Sequence, residues 1–255
     1  MAAGRIERYL ASEARQRRAA VLVLVDSESS GDGDSARLAA GAERAGASAI
    51  LVGGSSATDQ IGMAQAVGAI KAATRLPVIL FPGNVTGVVP QADAILFSSL
   101  MNSENPYFIT QAQALGAPSV LKFGLEALPT AYLVVGEGTS AWFVGAARGI
   151  PRSKPRIAAA YALAARFLGM RLVYLEAGSG AEAPVSAEMV RAVRAAFDGT
   201  LIVGGGIRDA RTARSLAGAG ADALVVGTLL EGSGPAGLRR LSAITRALRG
   251  GRRGA

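Results

Sequence analysis

Residues 171–181 read RLVYLEAGSGA, an apolar run followed by a single carboxylate and a glycine-serine turn. The run 172–175 is short and rich in large and β-branched side chains, as in a buried parallel strand. Glu176 therefore falls where this strand ends, and residues 178–180 form a loop able to curl around a ligand. The stretch predicts one acid beside one anion-binding loop.

The same arrangement recurs in two later segments. Residues 200–209 read TLIVGGGIRD, and residues 222–228 read DALVVGT, so that each is an apolar run ending in glycine. Three successive strand-to-loop junctions therefore expose backbone N–H groups.

Strands and helices alternate along the whole chain. Eight apolar runs occupy residues 20–25, 49–52, 78–81, 94–97, 132–135, 172–175, 201–203 and 223–226. Seven helical stretches occupy residues 35–45, 59–74, 106–115, 155–168, 186–197, 210–219 and 238–248. Eight strands are the number that a closed (β/α)8 barrel requires. We predict a single barrel domain over residues 1–255.

One outer helix has no room to form. Residues 82–92 read PGNVTGVVPQA, which is too short for a crossover helix with its two loops. We expect the third outer helix to be missing or replaced by an extended segment. The side left uncovered would be lined by Val85, Val88 and Val89, which either hold a long apolar ligand or merely plug the gap.

The amino-acid composition excludes some catalytic groups and metal ligands. The absence of cysteine excludes disulfides and thiol catalysis, and the absence of histidine removes the commonest general base. Any metal should therefore be oxygen-ligated, with Mg²⁺ the first expectation. No apolar run reaches the length of about 18 residues that spans a bilayer, and residues 1–10 lack a signal-peptide core, so we expect a cytoplasmic protein.

The formal charge of +8 raises the question of a nucleic-acid partner. Lysine and arginine are spread through helical stretches and both termini, and aromatic residues make up only 5% of the chain. This pattern favours a basic solvated surface over nucleic-acid binding. Anionic substrates, or peripheral association with an anionic membrane, fit the charge as well.

Because the strand ends carry the chemistry of such barrels, the polar residues there are the candidate site. Loops after the seventh and eighth strands commonly bind phosphate, so residues 204–209 and 227–228 predict a phosphate site, which Ser179 joins. Asp26 ends the first strand and Ser55 follows the second, where they could jointly hold Mg²⁺. A lone aspartate after a strand, however, more often caps a helix or turn.

The long connection after the fifth strand carries four cations within nine residues. They are Arg148, Arg152, Lys154 and Arg156. Such a cluster could bind a diphosphate, since arginine makes bidentate phosphate contacts and lysine acts as a point charge. A solvated charge run is the alternative.

Several collinear motifs between residues 21 and 231 resemble one family. YLEAGSGA, VGGGIR, VVGT, WFVGAARGIPRSKP, LVGGSS, PVILFPGN and SLMNSENPY are similar to the geranylgeranylglyceryl phosphate synthase family, which includes bacterial heptaprenylglyceryl phosphate relatives. The resemblance implies a barrel with a modified third helix. It also implies Mg²⁺-dependent prenyl transfer from a prenyl diphosphate to the hydroxyl of a glycerol phosphate, and a homodimer.

The resemblance also assigns roles to residues. Asp26 would hold Mg²⁺ and the diphosphate, with Ser55 nearby, while Tyr174 and Glu176 would hold the glycerol part of the acceptor. The phosphate would be bound by Ser179, Gly205, Gly206, Gly227 and Thr228. Glu176 is the leading candidate base, or else it only orients the hydroxyl. The prenyl chain would enter the uncovered groove, with Tyr107 and Phe108 as wall residues.

Two departures from the family pattern leave the acceptor open. Ser27 stands where the family usually has proline, and Arg156 stands where it tends to have an acidic residue. The resemblance makes sn-glycerol 1-phosphate the first expectation, and these changes are compatible with the alternative, 3-phosphoglycerate, which a relative in antibiotic assembly farnesylates. A non-catalytic barrel that binds a phosphate or prenyl diphosphate is the remaining alternative.

Overall fold

The computed structural model describes residues 2–26, 32–54, 59–230 and 234–250. Eight parallel strands close into a barrel in chain order, with the eighth paired to the first. The strands are β1 (Ala20–Asp26), β2 (Ala49–Gly54), β3 (Val78–Pro82), β4 (Ala94–Leu100), β5 (Glu126–Val134), β6 (Leu172–Glu176), β7 (Thr200–Gly204) and β8 (Ala223–Val226). The (β/α)8 barrel predicted from the apolar runs is confirmed.

Helices connect the strands and cover the outside of the barrel. They are α1 (Arg5–Gln16), α2 (Asp32–Arg44), α3 (Gln60–Ala73), α4 (Ala112–Lys122), α5 (Ser140–Val144), α6 (Pro155–Phe167), α7 (Ala187–Ala196), α8 (Ala210–Ala219) and α9 (Gly234–Leu248). Within the described ranges, none of them has the length and apolar character needed to cross a membrane.

Alternate residues of each strand pack into two separate layers, as the period of a strand requires. Leu22 and Leu51 belong to an inner cluster made of strand residues and part of α1. Val21 and Ile50 pack instead in the outer cluster, with residues of the surrounding helices. Because both faces of the strands are buried, their sequences are continuously apolar, which is the pattern that predicted them.

The N-terminal helix α1 was not predicted. Its residues Ile6 and Leu10 belong to the inner cluster, so α1 closes the N-terminal end of the barrel. The Glu126 carboxylate at the start of β5 accepts hydrogen bonds from the backbone N–H groups of Ile6 and Glu7, at 2.7 and 2.9 Å. The Glu7 carboxylate in turn pairs with Arg171 at the start of β6, at 2.9 Å. These contacts anchor α1 at the end of the barrel opposite the carboxyl ends of the strands.

The third outer helix is missing, as expected. Between β3 and β4 the chain forms only a 3-10 turn, Val85–Gly87, which begins where the Asn84 side chain accepts a hydrogen bond from Val85 N. The side chain of Gln60 in α3 donates to the Val88 carbonyl at 3.1 Å and ties this segment to the barrel. One side of the barrel wall therefore has no helix over it.

Two predicted elements differ most from the structure. Strand β5 begins at Glu126. The prediction started it at residue 132 because Pro129 and Thr130 interrupt the apolar pattern of the sequence. The buried Thr130 hydroxyl is satisfied locally, by the Leu128 carbonyl at 2.8 Å. The helix predicted at 106–115 begins instead as a π-helical turn, Tyr107–Gln111, and continues as α4 to Lys122.

Candidate active site

Two cavities lie at the carboxyl ends of the strands and share part of their walls. The first is an apolar groove beside β3, β4 and α4, and the second is a polar cavity bounded by the loops after β6, β7 and β8. Among the described residues, four line both: Leu24, Phe81, Tyr132 and Ala141. A ligand with an apolar tail and a polar head can therefore occupy both spaces at once.

The apolar groove occupies the place of the missing helix. Val85 and Val88, from the segment that replaces the helix, line it together with Phe108 and Gly116. A Cβ atom on Gly116 would lie 3.9 Å from Val85 Cγ1 and 4.0 Å from Val88 Cγ2. The groove is therefore open space bounded by a glycine.

Two residues expected on the groove wall lie elsewhere. Val89 is buried in the outer cluster. Tyr107 lies beside the groove, where its hydroxyl donates to Asn84 Oδ1 at 2.5 Å. This hydrogen bond joins the segment that replaces the helix to the π-helical turn. The groove is thus bounded by two segments that are linked to each other.

The glycines after β7 bring this loop, which was predicted to bind phosphate, close to Glu176. Gly205 has a φ of +83° and Gly206 a φ of +69°, a left-handed backbone that side chains rarely adopt. A Cβ atom on Gly205 would lie 2.7 Å from Glu176 Oε1 and from Gly178 N. The loop can therefore approach the β6 loop only because this residue is glycine.

The loops after β6 and β8 meet at two hydroxyl groups. The Ser179 and Thr228 hydroxyls are 3.1 Å apart, and Gly180 N donates to Thr228 Oγ1 at 3.2 Å. These residues line the polar cavity with Gly205, Gly206 and Gly227. The structure thus brings all five residues of the predicted phosphate site to one cavity.

Glu176 ends β6 and is almost completely buried, with 6% of its surface exposed. Gly178 N donates to its Oε1 atom at 2.6 Å. Burial raises the pKa of Glu176 above its ordinary value of 4.5, while the nearby Tyr174 hydroxyl and the Gly178 N–H offset part of the rise. A carboxylate with a raised pKa in a cavity is suited to accept a proton.

Tyr174 lies two residues before Glu176 on the same face of β6 and is fully buried. Its hydroxyl is near Glu176, yet it has no hydrogen-bond partner of ordinary geometry in the described part of the chain. Burial, and then the charge of Glu176, raise the pKa of Tyr174 well above its ordinary value, so the hydroxyl keeps its proton. A buried and unsatisfied hydroxyl that lines a polar cavity is suited to bind a ligand oxygen.

Asp26 lies half-buried at the end of β1, in register with Gly53 at the end of β2. Ser55, its predicted partner in holding Mg²⁺, lies outside the described residues. No group of three acidic side chains close enough to form a metal site occurs in the ranges described. A Mg²⁺ ion that binds one or two carboxylates and completes its shell with water and substrate phosphates would still fit the oxygen donor of Asp26.

Of the cations predicted to meet a diphosphate, Arg152 and Lys154 are exposed, and neither lines either cavity. The Arg152 guanidinium donates to the carbonyls of Ala183 and Pro184, at 3.0 and 3.1 Å. It thereby links the connection after β5 to the loop after β6. Substrate binding by Arg152 and Lys154 stays a prediction.

Arg208 lies within the stretch 204–209 that was predicted to bind phosphate, but no role of its own was predicted for it. It lines the polar cavity, and its guanidinium donates to the backbone carbonyls of Gly180, Ala181 and Glu182 at 2.8 to 3.3 Å. Arg208 thus fastens the β6 loop to the β7 loop. The only sequence signal was its place beside three glycines.

Comparisons with known proteins follow the same lines as the geometry. A family model described as the PcrB family matches residues 14–247. The chain is 71% identical to a geranylgeranylglyceryl phosphate synthase of Cenarchaeum symbiosum (strain A), over 97% of this chain and 99% of the relative. It is 68% identical to the protein of that name in Nitrosopumilus maritimus (strain SCM1), over 97% and 98%.

Solved structures extend the comparison to three dimensions. A crystal structure of (S)-3-O-geranylgeranylglyceryl phosphate synthase from Thermoplasma acidophilum, in complex with its substrate sn-glycerol-1-phosphate, has a TM-score of 0.91 at 38% identity. That match covers 97% of this chain and 99% of the other. N-acetylmannosamine-6-phosphate 2-epimerase from Clostridium perfringens has a TM-score of 0.58 at 14% identity, over 89% and 93% of the two chains, and shares the fold alone.

Proposed function

This chain belongs to the PcrB family, and we propose that it is a prenyltransferase that joins a geranylgeranyl group to the hydroxyl of sn-glycerol 1-phosphate through an ether bond. The resemblance stated from the sequence motifs is confirmed by the family match and by relatives at 68% and 71% identity. The observation that carries the proposal is that an apolar groove and a polar, glycine-lined cavity share four wall residues. Prenyl transfer requires the two substrates to come into contact, and they can do so beside these shared wall residues.

The acceptor would bind through its phosphate in the polar cavity. Gly205 and Gly206 expose backbone to the cavity, and Ser179 and Thr228 add hydroxyl groups. Such glycine loops, at the tips of β7 and β8, bind phosphate by backbone N–H groups and by helix N-termini. With the phosphate there, the glycerol part extends toward Tyr174 and Glu176.

Glu176 is suited to accept the proton of the attacking hydroxyl. Its carboxylate faces the polar cavity, and its raised pKa makes it a stronger base than an exposed glutamate. The Tyr174 hydroxyl, which has no partner in the described chain, would donate to an acceptor oxygen and hold it beside Glu176. The two residues thus orient the acceptor and deprotonate it.

The donor would lie with its prenyl tail in the apolar groove and its diphosphate toward the tip of β1. Asp26, with Ser55 as the expected second oxygen donor, would hold Mg²⁺ there. When bound, Mg²⁺ would neutralise the charge of the diphosphate that leaves. Burial of the tail among Val85, Val88 and Phe108 positions the reactive carbon at the shared walls.

The polar cavity favours glycerol 1-phosphate over 3-phosphoglycerate, the alternative that the sequence left open. Arg208 is the single cation among the described residues that line this cavity, and its guanidinium already binds three carbonyls. A second anionic group on the acceptor would face the buried Glu176 carboxylate without compensation. The names of the relatives point the same way.

The predicted homodimer has a candidate surface on α6. The outward face of this helix carries Ile157, Ala160, Ala164 and Phe167, and Leu168 follows at its end, all exposed. Phe167 and Leu168 are 79% and 69% exposed. An apolar stripe of this kind on a helix whose opposite face packs on the barrel suits a second copy of the chain. Cytoplasmic location and peripheral membrane association stay predictions.

The product of the purified protein tests the proposal. Geranylgeranyl diphosphate and Mg²⁺ are offered with sn-glycerol 1-phosphate, sn-glycerol 3-phosphate or 3-phosphoglycerate, and products are identified by mass. We expect a prenyl ether of sn-glycerol 1-phosphate. A product formed with 3-phosphoglycerate alone would show that 3-phosphoglycerate, and not sn-glycerol 1-phosphate, is the acceptor. The absence of product with every acceptor would favour the non-catalytic alternative.

A further inference from the structure

Three aromatic rings form a compact unit at the top of the barrel interior. Phe81 at the end of β3 stacks on Tyr174 of β6, with ring centres 5.3 Å apart and planes at 25°. Tyr132 of β5 meets both rings edge to face, at 5.4 Å from Phe81 and 5.2 Å from Tyr174. Each ring contacts the other two, so the orientation of the unit is fixed by packing.

This unit lies where the two cavities join. Phe81 and Tyr132 line both the apolar groove and the polar cavity, and both are only half-buried. Of the residues that the structure describes, the others that line both cavities are Leu24 and Ala141, which are aliphatic. The aromatic rings are therefore the polarisable groups at the junction.

The proposed reaction, on which this inference rests, places positive charge at the same junction. The bond between the first prenyl carbon and the diphosphate oxygen breaks, and its electron pair leaves with the diphosphate. Positive charge then develops on the allylic carbons. The acceptor oxygen forms the new bond to the first carbon, and its proton passes to Glu176. The charged carbons lie between a tail in the groove and an acceptor in the polar cavity.

We propose that Phe81 and Tyr132 are catalytic residues that stabilise the developing allylic cation through the faces of their rings. An aromatic face carries negative potential and attracts a cation within about 6 Å of the ring centre, whereas the side chains of leucine and alanine offer no such attraction. Burial, reinforced by the charge of Glu176, raises the pKa of Tyr132 well above its ordinary value, so its ring acts as a neutral phenol. Tyr174 is the positioning residue that holds Phe81 in place.

Two unreactive analogues of the donor separate this effect from packing. One is a geranylgeranyl thiodiphosphate, which is neutral at the first carbon. The other carries a protonated amine at that place and is offered with inorganic diphosphate. The dissociation constants of both analogues are measured for the parent and for Phe81→Leu, Tyr132→Leu and Tyr132→Phe. Leu24→Val is the control, because it shortens a side chain at the same junction and leaves the aromatic residues unchanged.

The ammonium analogue should lose affinity by about 3- to 30-fold in Phe81→Leu and Tyr132→Leu, the range of a desolvated cation–π contact. The thiodiphosphate should change by less than about twofold, and kcat should fall with the affinity for the cation. Tyr132→Phe should restore both, and Leu24→Val should weaken both analogues equally if it weakens either.

Equal loss for the two analogues in the ring variants, or no loss for either, would overturn the inference and leave the proposed function intact. A parent that binds neither analogue and forms no product would overturn both the inference and the proposed function.

Discussion

Tyr174 and Glu176 occupy alternate positions of β6, so both side chains lie on the inner face of the barrel at the edge of the polar cavity. Burial raises the pKa of both groups, which disfavours the charged form of each. The consequences differ, because a tyrosine that keeps its proton can only donate, whereas a glutamate with a raised pKa can still be ionised and act as a base.

Replacement of Glu176 by glutamine should lower kcat by about 10²- to 10⁴-fold, the usual contribution of a general base. The amide keeps an oxygen for the Gly178 N–H but cannot take a proton. The parent should lose turnover as pH falls through the raised pKa of Glu176, and the glutamine variant should lack that dependence. A glutamine variant with the parent's pH profile of kcat would remove Glu176 from the proton transfer.

Stability should respond to pH in the opposite direction. Because the folded protein binds the Glu176 proton more tightly than the unfolded chain does, the free energy of unfolding falls as pH rises from about 4.5 through the raised pKa. At neutral pH the glutamine variant should therefore unfold at a higher temperature than the parent, as calorimetry would measure. A lower unfolding temperature would show that the ionised carboxylate stabilises the fold.

Tyr174→Phe removes a buried hydroxyl that has no partner in the described chain. The variant should be about as stable as the parent, since the hydroxyl makes no hydrogen bond of ordinary geometry and only its weak interaction with the Glu176 carboxylate is lost. If the hydroxyl binds the acceptor, KM for glycerol phosphate should rise about tenfold, or ~1.4 kcal/mol, while KM for the prenyl donor stays unchanged. Loss of stability with unchanged KM would assign the hydroxyl a structural role.

Among the structural elements, the loop after β7 is one that depends on glycine. Gly205 and Gly180 both have left-handed backbone, which costs alanine about 1–2 kcal/mol. Only at Gly205 would the added Cβ also meet Glu176 and Gly178, at 2.7 Å, since nothing lies within 4 Å of the corresponding atom on Gly180. The two positions form a matched pair.

Gly205→Ala should therefore destabilise the protein more than Gly180→Ala does, and it should raise the acceptor KM far more. Chemical unfolding and steady-state kinetics on both variants check this. Equal effects of the two substitutions on KM would mean that close approach of the β7 loop to Glu176 is not needed for acceptor binding.

The sequence predicted those elements whose pattern is imposed locally. Strands buried on both faces have to be apolar, and loops with left-handed backbone need glycine, so β6, β7 and β8 and their loops could be located. The start of β5 could not, because its Pro129 and Thr130 are accommodated by particular neighbours. Helix α1 was missed although its buried residues Ile6, Leu10 and Ala14 recur every four residues among charged ones, which is the pattern of an amphipathic helix.

Some residues of the site could not be identified from the sequence, because their roles depend on contacts between distant segments. Phe81 and Tyr132 look like ordinary core residues in sequence, and only closure of the barrel places both at the junction of two cavities. Arg208 and Arg152 take their roles from carbonyls in the loop after β6. Polar residues at strand ends were predictable as a group, whereas their individual partners were not.

At the scale of the whole molecule, the missing outer helix and the glycine loops lie on adjoining parts of the same barrel face. This places the apolar groove and the polar cavity next to each other, with Glu176 in the polar cavity. The central claim is that the donor tail and the acceptor phosphate bind in these separate spaces and react where they join.

The most direct test is the KM of each substrate in two variants, one in each space. Gly116→Leu fills the groove beside Val85 and Val88, whereas Ser179→Ala removes a hydroxyl from the phosphate loops. We predict that Gly116→Leu raises KM for geranylgeranyl diphosphate alone and that Ser179→Ala raises KM for sn-glycerol 1-phosphate alone. If either variant raised both constants equally, the two substrates would not occupy the separate spaces described.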